Sequence, residues 1–263
     1  MKNLLFLITL LIACSCKDEQ KVLYEELSPA EFRTRLQECP VAYLPLGTLE
    51  WHGDHLPLGS DGIQSEEFFK ILAAEAGGIV MPKLFLGPDF DTLFNGKEYY
   101  GMDCGKLFGD KCKYEFQQLA GSAYWVSDSV FSVIMESIMK QLGRAGFKIV
   151  VAHGHGPSTN FVGAHAGEYL RKYNLRVMNC WGNDTSDYCL MCDHAGANET
   201  SIMMALRQDL VKTGNLPADT ATWPLGVIGD DPRTKASRDF GNRILGYEIK
   251  KMSGRIHEIL SGM

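Results

Sequence analysis

Glu50, His52, Asp54, His55 and Asp61 fall in one short segment punctuated by glycine and proline. Imidazole nitrogen and carboxylate oxygen are donors that zinc and manganese accept. Ions of this kind make water nucleophilic near neutral pH. The flanking Leu44-Pro45-Leu46-Gly47 and Leu56-Pro57-Leu58-Gly59 read as strand end and loop rather than helix. In extended backbone Glu50 and His52, two positions apart, project to the same side. On these residues alone a surface pair and a ligand pair are both open readings.

Lys148-Ile149-Val150-Val151-Ala152 is a short apolar run that ends in His153-Gly154-His155-Gly156. It follows a stretch, 128–145, with Val130, Val133, Ile134, Ile138 and Leu142 at helix spacing. Gly146 stands where a helix C-terminal glycine belongs. The order is helix, tight turn, buried strand, then a loop that delivers His153 and His155. The carboxyl end of a strand in an open α/β sheet is where ligands usually sit. A glycine-rich turn with two solvated histidines is the competing reading. A third cluster, Asp193-His194-Ala195-Gly196-Ala197-Asn198-Glu199, precedes Ile202, Met203, Leu206 and Leu210 at helix spacing. Glu199 falls near the start of that helix, where the dipole alone also favours an acid.

In order and wording the three segments resemble the creatininase (creatinine amidohydrolase) family. The likeness rests on the continuous block Leu44 to Asp61, on Gly154-His155-Gly156, and on His194-Ala195-Gly196 with Glu199-Thr200-Ser201. It spans roughly Leu27 to Leu210. The resemblance implies a site for two divalent metal ions, Zn²⁺ and/or Mn²⁺, with Fe²⁺ admissible. It implies Glu50, Asp61 and His155 on one ion and His52, Asp61 and Glu199 on the other, with Asp61 bridging. A carboxylate can bridge because its two oxygens carry separate lone pairs. A metal-bridging water would be the nucleophile, and His194 would carry its proton to the leaving nitrogen. His55 and His153 are expected either to orient ligands from behind or to be ordinary hydrogen-bonded histidines.

The chain departs from the family pattern at several places. Creatininase has a glutamate two residues after the metal histidine, where this chain has Pro157. The change argues against creatinine as substrate and shifts the second ion onto Glu199. His153-Gly154-His155-Gly156-Pro157-Ser158-Thr159-Asn160 replaces a shorter family wording and predicts a lengthened loop. Ala197 stands where an acid is usual. No clear counterpart of creatininase's substrate-covering tryptophans is present; Trp125 and Trp181 are candidates for the pocket or the core. The implied activity is a metal-dependent hydrolase cleaving a C–N bond of a small cyclic or related amide. The alternative is a membrane-tethered protein that binds a ligand or metal at a degenerate site.

A chain of 263 residues with 45% hydrophobic content suffices for one large α/β domain, expected over 27–263. The net charge of -6 disfavours a nucleic-acid partner. The start reads differently. Met1-Lys2-Asn3 is a positive n-region, and Leu4 to Ala13 is apolar but too short for a spanning helix. Leu11-Ile12-Ala13-Cys14 resembles a bacterial lipoprotein signal, with 1–13 removed, Cys14 lipidated and 14–26 a polar tether. Ser15 points to the outer membrane. A plain secretory signal is the competing reading.

Export permits disulfides. With Cys14 assigned to lipid and Cys16 to the tether, Cys39, Cys104, Cys112, Cys180, Cys189 and Cys192 remain. Cys104 and Cys112 are the first candidate pair. Cys189-Leu190-Met191-Cys192 admits a redox motif, a zinc half-site, a local disulfide or two free thiols. The lack of a second half favours the last two.

Ser28-Pro29-Ala30-Glu31 has the form of a capping box and predicts a helix to about Gln37. Strands are expected at Val41–Leu46, 79–82, 148–152 and 175–179, and helices at 64–76, 128–145, 159–173 and 238–260. This alternation predicts a three-layer α/β/α sandwich on a mainly parallel sheet, as the resemblance also implies. The aromatic-rich 85–119 stretch is expected to be a loop-rich insertion: a lid, a subunit contact in a homo-oligomer, or a covered core edge.

Overall fold

The computed structural model describes residues 21–263 apart from 106–113, 182–185 and 187. The expected signal peptide, the lipidated Cys14 and Cys112 lie outside the described residues. Four parallel strands form the central sheet in the order β2-β1-β5-β6: β1 Val41–Leu46, β2 Ile79–Val80, β5 Ile149–Gly154 and β6 Arg176–Met178. Side chains alternate across β1. Val41 and Tyr43 pack with Phe68, Phe69 and Leu72 of α2 (Ser60–Ala76) and with Ile244, Met252 and Ile256 of α8 (Arg238–Ser261). Ala42, Leu44 and Leu46 face the other way, onto Phe131, Met135 and Met139 of α3 (Asp128–Ala145). The period-two pattern of the strand thus builds two cores, one on each side of the sheet. Truncating any one of the fully buried Phe68, Phe69 or Phe131 to alanine costs about 3–5 kcal/mol.

Helix α1 (Pro29–Glu38) starts with the expected capping box: Ser28 Oγ accepts from the Glu31 amide, and Glu31 accepts from the Ser28 amide at 2.7 Å. Some expectations are corrected. Residues assigned to the tether already belong to the fold: Val22 is buried in the first core and its carbonyl accepts from the Val80 amide at 2.9 Å. On α3 the outward positions include Val130 and Val133, because the larger Phe131, Met135 and Met139 take the core-facing stripe. The predicted 159–173 helix is two, α4 (Gly156–Ala164) and α5 (Ala166–Tyr173), separated at His165. The break lays α4 on β5 and α5 on β6. No lengthened loop follows His155, since α4 begins at the next residue.

The 85–119 insertion holds an antiparallel hairpin, β3 (Asp91–Phe94) with β4 (Lys97–Tyr100). Its turn is Asn95-Gly96, both with positive φ, the turn chemistry that matches strand twist. Cys189 and Cys192 form a disulfide and Cys104 is a buried thiol, while the expected Cys104–Cys112 pairing falls on Cys112, outside the described residues. Among the described residues no helix is long and apolar enough to cross a membrane.

Candidate metal centre

The chain leaves β1 for β2 on one side and reaches β5 on the other, so the carboxyl ends of β1 and β5 mark a topological switch point. Glu50 and His52 lie on the loop after β1. His155 directly follows β5, and Asp61 occupies the first turn of α2, which begins four residues before its predicted start. Glu199 lies in the first turn of α6 (Ala197–Leu206), and His194 precedes that helix. Gly154 makes the convergence possible. Its φ is +138°, and a Cβ there would fall 1.9 Å from the Leu46 carbonyl oxygen. The two strand ends could not run this close with any other residue.

All five expected donors are buried and converge. Nδ1 of His155 lies 3.1 Å from Oε1 of Glu50 and 3.2 Å from Oδ2 of Asp61. Nε2 of His52 lies 3.2 Å from Oδ1 of Asp61 and 3.7 Å from Oε2 of Glu199. Asp61 therefore gives one oxygen to each triad. Among the described residues the groups able to hold an ion are Glu50–Asp61–His155, His52–Asp61–Glu199 and a third, Glu50–His52–His194.

Main-chain carbonyls aim the imidazoles. Nδ1–H of His52 donates to the Glu50 carbonyl at 3.2 Å, and Nε2–H of His155 donates to that of Pro88 at 3.1 Å. Nε2–H of His194 donates to the Trp51 carbonyl at 2.6 Å. A carbonyl only accepts, so each ring carries a proton on the outer nitrogen and, when neutral, turns a lone pair inward. For His194 the inward atom is Nδ1, 3.9 Å from Oε1 of Glu50. A pair of antiparallel bonds to Ile228 (N–O 2.9 and 2.8 Å) holds the backbone of His194.

Of the two expected roles for His55 and His153, orienting ligands or making ordinary hydrogen bonds, both show the second. Nε2 of His55 lies 2.8 Å from Thr200 Oγ1, which donates to the Ala195 carbonyl, so His55 braces the turn into α6. Nδ1 of His153 accepts from the Cys180 amide at 3.4 Å, and its ring meets Trp181 edge-on. The carbonyls that do orient the ligands carry no side-chain signature, and so were invisible in the sequence.

Burial pushes every carboxyl here up and every imidazole down, and neighbours then decide. Asp61 ends well below the usual range, through His52 and the hydrogen bonds of His155. Against burial, Asp61 and then Glu199 raise His52 to about 10. Glu199 stays well above the usual range because burial outweighs His52. A buried carboxyl left uncompensated by its imidazole partner suits a site that takes cations. Three carboxylates and two inward-facing imidazoles form a donor set fitting zinc or manganese.

A 190 Å³ cavity opens onto these donors, walled by Phe90, Met102, Trp181, Met191 and Ile228. Trp181 is thus a pocket residue, whereas Trp125 packs on Tyr100 with centroids 4.6 Å apart. The insertion supplies Asp89, Phe90, Gly101 and Met102 to the wall. Asp89 was missed in the sequence. Burial and the adjacent Glu50 push it up to about 7. Asp193 also borders the cavity, and its carboxylate accepts the amides of Asn198 (2.8 Å) and Glu199 (3.0 Å), fixing the first turn of α6.

A parallel α/β/α sandwich with carboxylates and imidazoles buried at its switch point is the framework of a metal-dependent enzyme. The family model described as creatinine amidohydrolase matches residues 25–97 and 111–255. A creatinine amidohydrolase of Pseudomonas putida is 24% identical over 275 residues, covering 91% of this chain and 97% of the relative. A mycofactocin precursor peptide peptidase of Mycolicibacterium smegmatis is 26% identical over 239 residues, covering 82% and 84%. Two solved creatininases, a mutant of Zn-Zn type and a Mn form, each superpose with TM-score 0.68 at 23% identity, covering 90% of this chain and 98% of theirs. The chain belongs to the creatininase family, whose amidohydrolases are metal-dependent hydrolases acting on C–N bonds.

Proposed function

We propose that the protein hydrolyses a C–N bond of a small amide at a two-cation centre, with His194 as the proton carrier. Glu50, Asp61 and His155 would hold one divalent ion, and His52, Asp61 and Glu199 the other. The reading rests on Asp61, whose two oxygens face separate histidine–glutamate triads. Zinc or manganese bound there would supply Lewis acidity toward the amide carbonyl and toward water. The solved relatives of Zn-Zn type and in the Mn form support those two metals.

The residues divide the remaining work. Nδ1 of His194 receives the proton of the attacking water and returns it to the leaving nitrogen. Its Nε2–H stays on the Trp51 carbonyl throughout, which keeps Nδ1 aimed inward. The imidazolium formed in between lies near Oε1 of Glu50. Phe90, Trp181 and Ile228 give the cavity an apolar wall. A binding protein with a degenerate site gains no support, because all five donors and the proton carrier are together.

The curated relatives are named for creatinine and for a precursor peptide, so membership fixes the bond type and leaves the substrate open. Pro157 occupies the cavity wall where creatininase has a glutamate, which argues against creatinine. Elemental analysis of purified protein, followed by a panel of amides and lactones, tests the reading. About two equivalents of zinc or manganese and turnover of an amide support it; metal-free protein with full activity overturns it. We further propose export as a lipoprotein anchored through Cys14, on the strength of the Leu11-Ile12-Ala13-Cys14 signal and the polar stretch after it.

A further inference from the structure

The cavity wall holds a carboxylate that the metal reading does not use. Asp89 follows the Gly87-Pro88 step into the insertion, and only 9% of its side chain is exposed. Its Oδ1 accepts the Phe90 amide at 2.8 Å and lies 3.8 Å from Nε2 of His155, whose proton is engaged by Pro88. Among the described residues no donor is hydrogen-bonded to Oδ2. Gly101 packs against that oxygen. A Cβ at 101 would fall 2.3 Å from Oδ2 of Asp89 and 3.1 Å from Oε2 of Glu50. Any side chain there would displace both carboxylates, so the hairpin exit is shaped to admit them.

The charges around the cavity point to what Oδ2 is for. Its described lining includes the carboxyls of Glu50, Asp61, Asp89, Asp193 and Glu199, and neither lysine nor arginine. Glu50, Asp61 and Glu199 are taken by the proposed cations, and Asp193 by the amides of α6. Asp89 is the acid left facing the substrate. An anionic substrate group would meet it uncompensated, whereas a cationic N–H donor would form a charge-assisted hydrogen bond. Phe90 and Trp181 in the same wall are rings that also attract a cation.

We propose that Asp89 is the specificity-determining residue of this site, and that the substrate carries beside its scissile amide a protonated amine whose N–H Oδ2 accepts. The substrate class rests on the amidohydrolase reading; the binding preference does not.

Isosteric amides differing only in charge test the proposal. Glycinamide, β-alaninamide and 4-aminobutanamide are compared with propionamide, butanamide and pentanamide on the metal-loaded protein. Dissociation constants are read by calorimetry and turnover by ammonia release. For at least one chain length the cation should bind about tenfold or more tightly than its neutral isostere, the size expected for one charge-assisted bond. Asp89→Asn should abolish that difference while elemental analysis returns wild-type metal content. The proposal is overturned if no cation outbinds its isostere on the wild-type protein, a result independent of how the variant folds. It is also overturned if the preference survives in Asp89→Asn. Asp89-dependent binding without ammonia release would support the role of Asp89 and show that these primary amides are ligands rather than substrates, while the hydrolase reading stands or falls on the metal analysis and wider panel above.

Discussion

Replacing His194 with asparagine separates a proton carrier from a metal ligand. The geometry permits both roles, since His194 belongs to the Glu50–His52–His194 group. It is set apart by distance: Nδ1 lies 3.9 Å from Oε1 of Glu50, against 3.1 Å for Nδ1 of His155 from the same oxygen. Its ring stacks on that of His52 at 4.1 Å and borders the cavity. Asparagine places a polar amide where Nδ1 stands but offers no basic nitrogen near neutral pH. Loss of general acid–base help costs about 10²–10⁴ in turnover. A thousandfold loss is about 4 kcal/mol of barrier. Metal content should stay at the wild-type value in the same preparation.

The pH profile supplies a second readout. Burial, and then His52, hold His194 below the usual imidazole value. Because it must be neutral to accept a proton, the wild-type rate should fall on the acid side only below the ordinary histidine range. That limb should vanish in His194→Asn. A variant that loses one equivalent of metal together with its activity would show that His194 is a ligand and refute the assignment.

Other outcomes follow from the same structure. Burial, and then Lys251, depress His153 from 6.5 to about 3, so between those values the unfolded chain binds the extra proton and stability falls as pH falls. His153→Gln should flatten that acid limb in melting curves recorded across pH, and an unchanged slope would exclude His153 as its source. Replacing Cys189 and Cys192 with serine opens a short loop and should lower stability by about 2 kcal/mol in denaturant titrations; no difference between the reduced and oxidised wild-type proteins would contradict this. If Cys14 is the lipid anchor, Cys14→Ser should stay in the precursor form or leave the membrane fraction, since the acyl chains that give stable anchoring are lost. Mass spectrometry finding an unmodified mature N-terminus beyond Cys14 would leave ordinary secretion.

The hairpin shows how a local signal is overlooked. Asn95-Gly96 carries the positive φ values of a tight turn, yet the aromatic residues around it suggested only a loop-rich segment. Helix α2 was placed late for a related reason. Gly59 at the N-cap and Gly62 in the first turn weaken the helix signal, while in the folded chain that turn packs closely on Gly47 and Phe85. The extent of β1, the bounds of α3 and the capping box of α1 were legible, because hydrophobic period and cap chemistry are local.

By itself the sequence determined the layer order of the fold, through strand–helix alternation, and its motif wording named Glu50, His52, Asp61, His155 and Glu199 as the candidate donor set. Only the tertiary structure decided how those donors share Asp61, which nitrogen each histidine turns inward, and that Asp89 faces the cavity. Each of these depends on atoms brought together from distant parts of the chain. The carbonyls of Glu50, Trp51 and Pro88 aim the histidines, and a main-chain carbonyl is present at every residue. No residue type announces it; only the path of the folded chain places it.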